Sequence, residues 1–459
     1  MNIKKFNFEN GLKLIYEKVN DSDISSVNVM VKLGSMYEPK KFNGLSHFLE
    51  HMVFKGTCEQ CRTCKKNIFR KKNCLPDSKS ISELFDEVGA DFNAYTDKNI
   101  TSYHVKSNSS FLPTSINVLS DMVLNTNFKI KEFNREKKVV LEELLKGMDD
   151  STTWSLELVD TMVFKNTGLG QIIGGYPKNV NKLSFEDMKI LYDSFYLPSN
   201  IVISIVSNKS FNSILKMIQK SFFIKNKWRE NKYIVPKKFK PKLNLTKQID
   251  YRILYCKKKN KQIYISISFL TCDLYHKDRV ILELISDILS GNMSSRFFVN
   301  LREKRGLTYS CHTELSNYEN AGNFSIITSV DKNKLTSFIE NNKNKKGALE
   351  VILDTLNEIH KNGFTEKELK KIKGYSKGQL TLSCEDSLNL ADYNGRLILL
   401  NHKEIVPLKK YYNKFIKNIT LRDINRVFKK YFKKNRMSIC MIGDKFNKKE
   451  IKLIINNFK

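Results

Sequence analysis

The sequence predicts a mixed chain of strands and helices arranged as two domains of similar architecture. Three observations predict it. Stretches of two-residue apolar alternation are interleaved with stretches of helical periodicity. At 459 residues the chain is long enough for two or three domains. The strand-then-helix order near the start returns after residues 226–248, which lose periodicity and carry two prolines and many lysines. The domain limits read from this are 1–228, a linker over 229–248, and 249–459.

Each element has its own signal. Asn10-Gly11 between IKKFNF and LKLIYEK predicts a β-hairpin, since both turn residues tolerate positive φ. Val27, Val29, Val31 and Leu33 alternate with Asn28, Met30 and Lys32, a strand with one buried face. A helix starts near Gly44, with Leu45, Phe48, Leu49, Met52 and Val53 on one stripe. Residues 58–80 are basic, Cys-rich and aperiodic. Beyond them come a helix at ISELFDEVG and a strand pair at ADFNAYTDKNITSYHVKS. Helical patterns follow around 114–124, 131–147 and 151–164, then one opened by Ser184, then the buried strand NIVISIVS. The second half restarts with the strands of RILYCKKKNKQIYISISFL and the helix RVILELISDILSG.

Composition bounds the function classes. Apolar residues are 41% and charged residues 28%, so the chain buries real cores and is not disordered by composition. The net charge of +31 permits contact with nucleic acid, anionic membrane or acidic substrates. Its lysines are scattered, as a generally solvated basic surface requires. No run of about 18 apolar residues exists, so a membrane-spanning helix is excluded. The opening residues lack the apolar run of a signal peptide and the Ser/Arg-rich helix of a transit peptide. Nine cysteines in a chain this long are not a disulfide framework. The expected location is intracellular and reducing, with the cytoplasm first.

The sharpest chemical feature is HFLEH on the first helix. At about 100° per residue, His47, Glu50 and His51 point to about 200°, 140° and 240° from Leu45, opposite the apolar stripe. Two histidines one turn apart have the spacing that grips one zinc ion. A carboxylate on the same face is placed to take a proton from zinc-bound water. The alternative is a pair of solvated surface histidines. Two histidines leave such a site one protein ligand short. In NREKKVVLEELLKG, the wheel places Glu143 with Glu136, Val139 and Val140 in an apolar stripe, and turns Glu142 away. A buried carboxylate needs a partner, and zinc is one. Glu136, two turns back on that face, is placed to orient a ligand or the water. The alternative for both acids is a salt bridge to lysine.

At this point the chain resembles an M16-family metallopeptidase of the pitrilysin superfamily. It is similar to the two-domain bacterial processing-type peptidases and to the mitochondrial processing peptidase beta subunit. The stretches that carry the resemblance are GLSHFLEHMVFKGT, GADFNAYTDKNITSYHV, REKKVVLEELLKG, GGYPKNVNKLSFEDM through LPSNIVISIVSN, and MSSRFFVNLREKRGLTYS. The resemblance implies an α+β fold of two similar domains, each an antiparallel-rich sheet packed by helices on one face, the LuxS/MPP-like metallohydrolase fold. It implies His47, His51 and Glu143 as ligands of one catalytic zinc, Glu50 as general base and Glu136 as a supporting acid. Asn93 and Ala94 fall on the edge strand where the family binds substrate backbone by strand addition. Arg302 and Tyr309 fall where active members supply an Arg and a Tyr to the substrate carbonyl or the tetrahedral intermediate. Pattern alone reads Arg302 as solvated and Tyr309 as core. In two-domain relatives that pair comes from a partner subunit, so the resemblance implies a homodimer enclosing a chamber, with a heterodimer with an M16 homologue as the alternative.

There are two departures. Residues 58–80 lengthen the spacing between His51 and Glu143 and read as an inserted surface loop. Its Cys58, Cys61, Cys64 and Cys74 offer donors for a second, structural zinc, with free thiols as the alternative. The processing peptidase recognises a substrate arginine with acids ten and fourteen residues beyond the distal Glu. Those positions are Thr153 and Glu157 here, so only Glu157 remains as a substrate-binding acid. The expected function is zinc-dependent endopeptidase action, of the inverzincin H-x-x-E-H type, on unfolded peptides or presequences. The rival readings are a non-catalytic M16-like scaffold subunit and a basic nucleic-acid-binding protein, the latter resting on net charge without a motif.

Overall fold

The structure, a computed structural model, describes residues 3–20, 22–57, 75, 77–221 and 239–459. Packing divides the chain into two units that interleave along the sequence. One gathers Met1–Leu145, Gln171–Lys242 and Thr381–Lys409; the other gathers Lys146–Gly170, Leu243–Leu380 and Lys410–Lys459. The limits read from the sequence follow chain order, whereas the packing groups segments across it.

The first unit is built on a six-stranded sheet of β1 (Ile3–Asn7), β2 (Lys13–Lys18), β3 (Ile24–Val31), β4 (Asp91–Thr96), β5 (Thr101–Asn108) and β6 (Ile201–Ser207). The order is β1-β2-β6-β3-β5-β4. β2 and β6 run parallel; the other neighbours are antiparallel. The β1–β2 hairpin closes through residues 8–12, longer than a two-residue Asn-Gly turn. Only Gly11 of that pair is left-handed, at φ +89°. Asn10 instead accepts the Leu12 N–H on its side chain at 3.1 Å, a local turn bond typical of Asn.

Helices of at least eight residues around this sheet are α1 (Leu45–Val53), α2 (Ser78–Asp86), α3 (Leu112–Asn125) and α4 (Ile130–Asp149). After α5 (Ser151–Val163), described with the second unit, come α6 (Phe185–Phe195) and α7 (Phe211–Lys220). The helix α2 starts at Ser78 with Asp77 as its cap, so the end of the stretch read as loop is helical. Leu45, Phe48, Leu49, Met52 and Val53 of α1 are fully buried, as the stripe predicted. Burial of each such side chain contributes about 1.5–3 kcal/mol.

The second unit carries β7 (Arg252–Lys257), β8 (Gln262–Thr271), β9 (Cys311–Asn317), β10 (Gly322–Asp331), the short pair β11 (Phe338–Glu340) and β12 (Lys343–Lys345), and β13 (Met437–Gly443). Its five-stranded sheet runs β7-β13-β8-β10-β9, again with one parallel pair, β7–β13, among antiparallel ones. The later helices are α8 (Asp278–Ser290), α9 (Ala348–Asn362), α10 (Glu366–Ser383), α11 (Ser387–Leu399), which belongs to the first unit, α12 (Leu421–Tyr431) and α13 (Lys448–Asn456). This is the expected α+β class, with two sheets of similar build.

Each sheet takes a helix from the far stretch of sequence. The early helix α5 lies on β8, β10 and β13. Ser155 and Ser266 share a hydroxyl hydrogen bond at 2.6 Å, and Asn323 donates to Asp160 at 2.7 Å. The late helix α11 lies on β2, β3 and β6. Ser387 meets Ser26 at 2.8 Å, and Asn394 donates to Glu17 at 2.7 Å. A Cβ on Gly395 would meet Met30 Sδ at 2.6 Å and Ser204 Cβ at 3.2 Å, so the absence of a side chain lets α11 sit close.

This helix exchange corrects one expectation. The strand β3 is buried on both faces from Ser25 onward, not on one. Val27 and Val29 alternate with Ser26 and Asn28, and it is the serine–asparagine side that meets α11. Helices therefore cover both faces of the first sheet. A polar residue in alternation reads as solvent-facing, but here the helix side chains satisfy it. No helix among the described residues is long and apolar enough to cross a membrane.

Candidate metal centre

The site grows from the N-terminus of α1. Gly44 precedes it at φ +99°, and a Cβ there would strike the Gly174 carbonyl oxygen at 2.4 Å. Gly175, at φ +78°, approaches Asn43 as closely, 2.3 Å from a hypothetical Cβ to the carbonyl oxygen. Only residues without side chains permit this contact. The buried carboxylate of Glu38 closes the helix end. It accepts N–H bonds from Gly44 at 2.8 Å and Ser46 at 2.5 Å, and from the Asn43 amide at 3.0 Å. An anion at the positive end of a helix dipole is stabilising. Burial nevertheless pushes the Glu38 pKa up to about 7 against those hydrogen bonds.

Helix α1 then presents His47, Glu50 and His51 on one side, and α4 brings Glu143. One ligand atom from each of His47, His51 and Glu143 lies within 4.8 Å of the others. The two Nε2 atoms face each other at 3.3 Å. Glu143 oxygens lie 3.3 Å from His51 Nε2 and 3.7 Å from His47 Nε2. Zinc holds nitrogen or oxygen donors at about 2.0–2.2 Å in a tetrahedron, which sets neighbouring donors about 3.3–3.6 Å apart. Two of the separations match that figure and the third, at 3.7 Å, lies just beyond it, so the residues fit a zinc ion.

The surroundings fix the ligand atoms. His51 Nδ1 bonds Glu136 at 2.9 Å, which leaves Nε2 facing the centre. Glu136 is buried and also holds Lys55 Nζ at 2.6 Å. Burial works against a charged Glu136, but hydrogen bonds from His51 and Lys55 outweigh it and hold its pKa below the usual carboxylate value. Burial likewise opposes charge on His51; its bonds to Glu136 and Glu143 prevail and raise its pKa to about 9. Burial lowers His47 to about 4, assisted by the charge of His51. Adjacent rings thus favour different protonation states, as one proton between facing nitrogens requires. His47 Nδ1 is buried without a hydrogen-bond partner among the described residues. Glu50 is buried as well, and burial raises its pKa. Its Oε2 accepts a hydrogen bond from Thr96 Oγ1 at 2.6 Å.

The helical wheel and the structure differ on why Glu143 is there. The buried face of α4 carries Phe133, Glu136 and Val140. The Glu143 side chain is 51% exposed and Val139 is exposed. Glu143 therefore flanks the stripe instead of lying within it, and the buried acid is Glu136. Asn93 and Ala94 lie on the edge strand β4, where Asn93 Oδ1 accepts the Ala94 N–H at 2.8 Å.

Arg302, Tyr309 and Glu157 belong to the second packing unit. Arg302 sits over the rings of Phe298 and Tyr309, at 4.9 and 4.7 Å from their centroids, and donates to the Tyr309 carbonyl at 3.3 Å. Tyr309 is 81% exposed, which overturns its reading as core from pattern alone. Thr308, bonded to Thr328 and the Ser329 carbonyl, anchors the backbone beside it. Glu157 lies on α5, whose N-terminus is capped by the Asp150 side chain; the Thr153 hydroxyl donates to that carboxylate at 2.6 Å. Cys58, Cys61, Cys64 and Cys74 lie outside the described residues. Cys256, Cys272, Cys311, Cys384 and Cys440 are free thiols.

Sequence reasoning did not single out Glu38, Lys55 or Thr96. Glu38 lies six residues before the capping Gly44 in a segment without periodicity, so no pattern marks it. Lys55 and Thr96 fall inside two of the stretches that carry the family resemblance, and that was the available signal.

Residues 13–175 match the family model described as "Insulinase (Peptidase family M16)", and residues 182–374 match "Peptidase M16 inactive domain". An uncharacterized zinc protease of Bacillus subtilis (strain 168) is 29% identical over 405 residues, 88% of this chain and 90% of its own. One from Rickettsia felis is 29% identical over 335 residues, covering 73% and 74%. A Helicobacter pylori protease structure superposes with a TM-score of 0.82 at 22% identity, over 96% of this chain and 99% of that one. A Pseudomonas fluorescens structure titled as a peptidase M16 inactive domain gives 0.80 at 17% identity, over 97% and 98%. At those identities the structures show a shared fold.

The geometry separates two adjacent acids. Glu143→Gln is expected to lower zinc affinity by at least about tenfold, since a neutral amide replaces an anionic ligand, while Glu142→Gln leaves it unchanged. Competition with a chelating dye measures both; equal affinities contradict the ligand assignment.

Proposed function

The chain belongs to the M16 peptidase family, and from that premise we propose that it is a zinc-dependent endopeptidase acting on unfolded peptides or presequences. The observation that carries the reading is the donor set of His47, His51 and Glu143 with the buried carboxylate of Glu50 on the same helix. Some M16 domains are described as inactive, and a scaffold role is the rival. The intact H-x-x-E-H face favours the enzyme, because a scaffold has no use for a spaced ligand pair with an acid between.

The residues divide the work. His47, His51 and Glu143 hold the metal, which when bound supplies Lewis acidity toward a carbonyl and acidifies water. Glu50 accepts the proton of the attacking water and returns it to the departing amine. Its raised pKa brings it nearer the operating range of a general base, and burial is the cause. Glu136, held by Lys55, keeps His51 oriented. The edge strand β4 offers backbone groups around Asn93 and Ala94 to an extended peptide. Arg302 and Tyr309 supply a cation and a phenol to the developing oxyanion. Glu157 is the remaining acid for a basic substrate side chain. The assembly proposed is a homodimer with the Arg/Tyr pair given by the partner, a heterodimer with an M16 homologue being the alternative.

Glu50→Gln is expected to retain zinc and lose at least about a hundredfold in kcat, because an amide cannot take the proton. Metal analysis with peptide cleavage tests this, and near-normal turnover removes Glu50 from the role. For the assembly, an inactive Glu50→Gln chain is mixed with an inactive Arg302→Ala/Tyr309→Ala chain. Returning activity supports shared sites. No return after demonstrated subunit exchange rejects them.

A further inference from the structure

We propose that Thr96 is a positioning residue that aims the Glu50 carboxylate, resting on the reading of Glu50 as general base. The contact is direct: Thr96 Oγ1 donates to Glu50 Oε2 at 2.6 Å. An ionised carboxylate only accepts hydrogen bonds. The hydroxyl engages one of the two oxygens, fixes the rotation of the carboxylate, and leaves Oε1 to meet water. Thr is β-branched and stiff about χ1, so the donor itself is preset by the backbone.

That backbone is held unusually firmly for a sheet edge. Thr96 is the last residue of β4, paired with Thr101, and the Asp97 N–H closes the turn onto the Ile100 carbonyl at 2.7 Å. Both neighbours of Thr96 are tied to α11. On the opposite face of β4, the Tyr95 hydroxyl donates to the Asp392 carboxylate and accepts from Arg396 Nη2 at 3.0 Å. Arg396 also bonds Asp392 at 2.8 Å and pairs with Asp97 at 3.5 Å. One guanidinium therefore restrains the residues before and after Thr96. An edge strand otherwise has paired backbone on one side only, and slippage by a fraction of an ångström would turn the hydroxyl away from Glu50. The late helix α11 thus acts on the base through β4.

The test uses the full chain with Thr96→Val, which keeps shape and loses the donor, and Thr96→Ser, which restores it. Zinc content is measured, together with kcat and KM for chelator-sensitive cleavage of a peptide that the unaltered chain cleaves. The expected result for Thr96→Val is unchanged zinc content, KM within about twofold, and kcat lower by about 10- to 100-fold, as misplacement of a reacting group produces. Thr96→Ser should recover kcat to within about threefold of the unaltered chain. Full kcat in Thr96→Val overturns the proposal. So does a loss accompanied by lower zinc content, or one that Ser does not restore, since either marks a general structural role. If the unaltered chain shows no chelator-sensitive cleavage, the endopeptidase reading fails and the proposal falls with it, an outcome distinct from full activity in the variant.

Discussion

Two imidazole nitrogens, His47 Nε2 and His51 Nε2, face each other across 3.3 Å with the Glu143 carboxylate beside them. They cannot both carry protons at that distance, and an anion alongside draws positive charge into the gap. The cluster is complementary to a cation that accepts all three. Holding it demands that a helix start at one residue and keep one rotation. The rest of the first unit serves that demand. Glu38 pins the N-terminus of α1, the Gly44–Gly175 approach sets its entry, and five buried apolar side chains fix its roll. Glu136, paired with Lys55, sets the His51 ring.

The interleaved packing explains how residues so far apart in sequence converge on one strand edge. Each sheet has polar residues on one buried face, and a helix from the distant stretch of chain bonds Ser26 and Glu17 in the first and Ser266 and Asn323 in the second. Serines facing serines cost little volume, so the helix approaches closely. The hydroxyls of the Ser26–Ser387 and Ser155–Ser266 pairs are hydrogen-bonded, so burial of these four carries no unpaired-group penalty. In the first unit this places Asp392 and Arg396 against the edge strand, next to the residue that touches Glu50.

Local chemistry was legible in the sequence where one periodicity decides it. The H-x-x-E-H face, the α1 stripe, the Ser184 cap and the β4–β5 pair follow from spacing alone, and the fold class followed from strand–helix order with the family resemblance. What was not legible depends on contacts between distant segments. Alternation in β3 could not announce that α11 covers its polar side. The wheel put Glu143 in a buried stripe, but burial of α4 is decided by what packs on it, and Glu136 is the residue enclosed. Tyr309 reads as core by type, yet Thr308 anchors the backbone and leaves the phenol exposed. Glu38 caps a helix from a loop that has no period to read.

The central claim is that this chain binds one catalytic zinc through His47, His51 and Glu143 and that peptide hydrolysis depends on it. The most direct measurement strips metal from the purified chain, titrates zinc back, and records bound zinc and peptide cleavage together. The account predicts saturation of the catalytic site at one zinc per chain, with cleavage absent before addition and rising in proportion to that first equivalent. Cleavage that persists at full strength in the stripped chain, or a first equivalent that binds as well when His47 and His51 are both replaced by alanine, would contradict it.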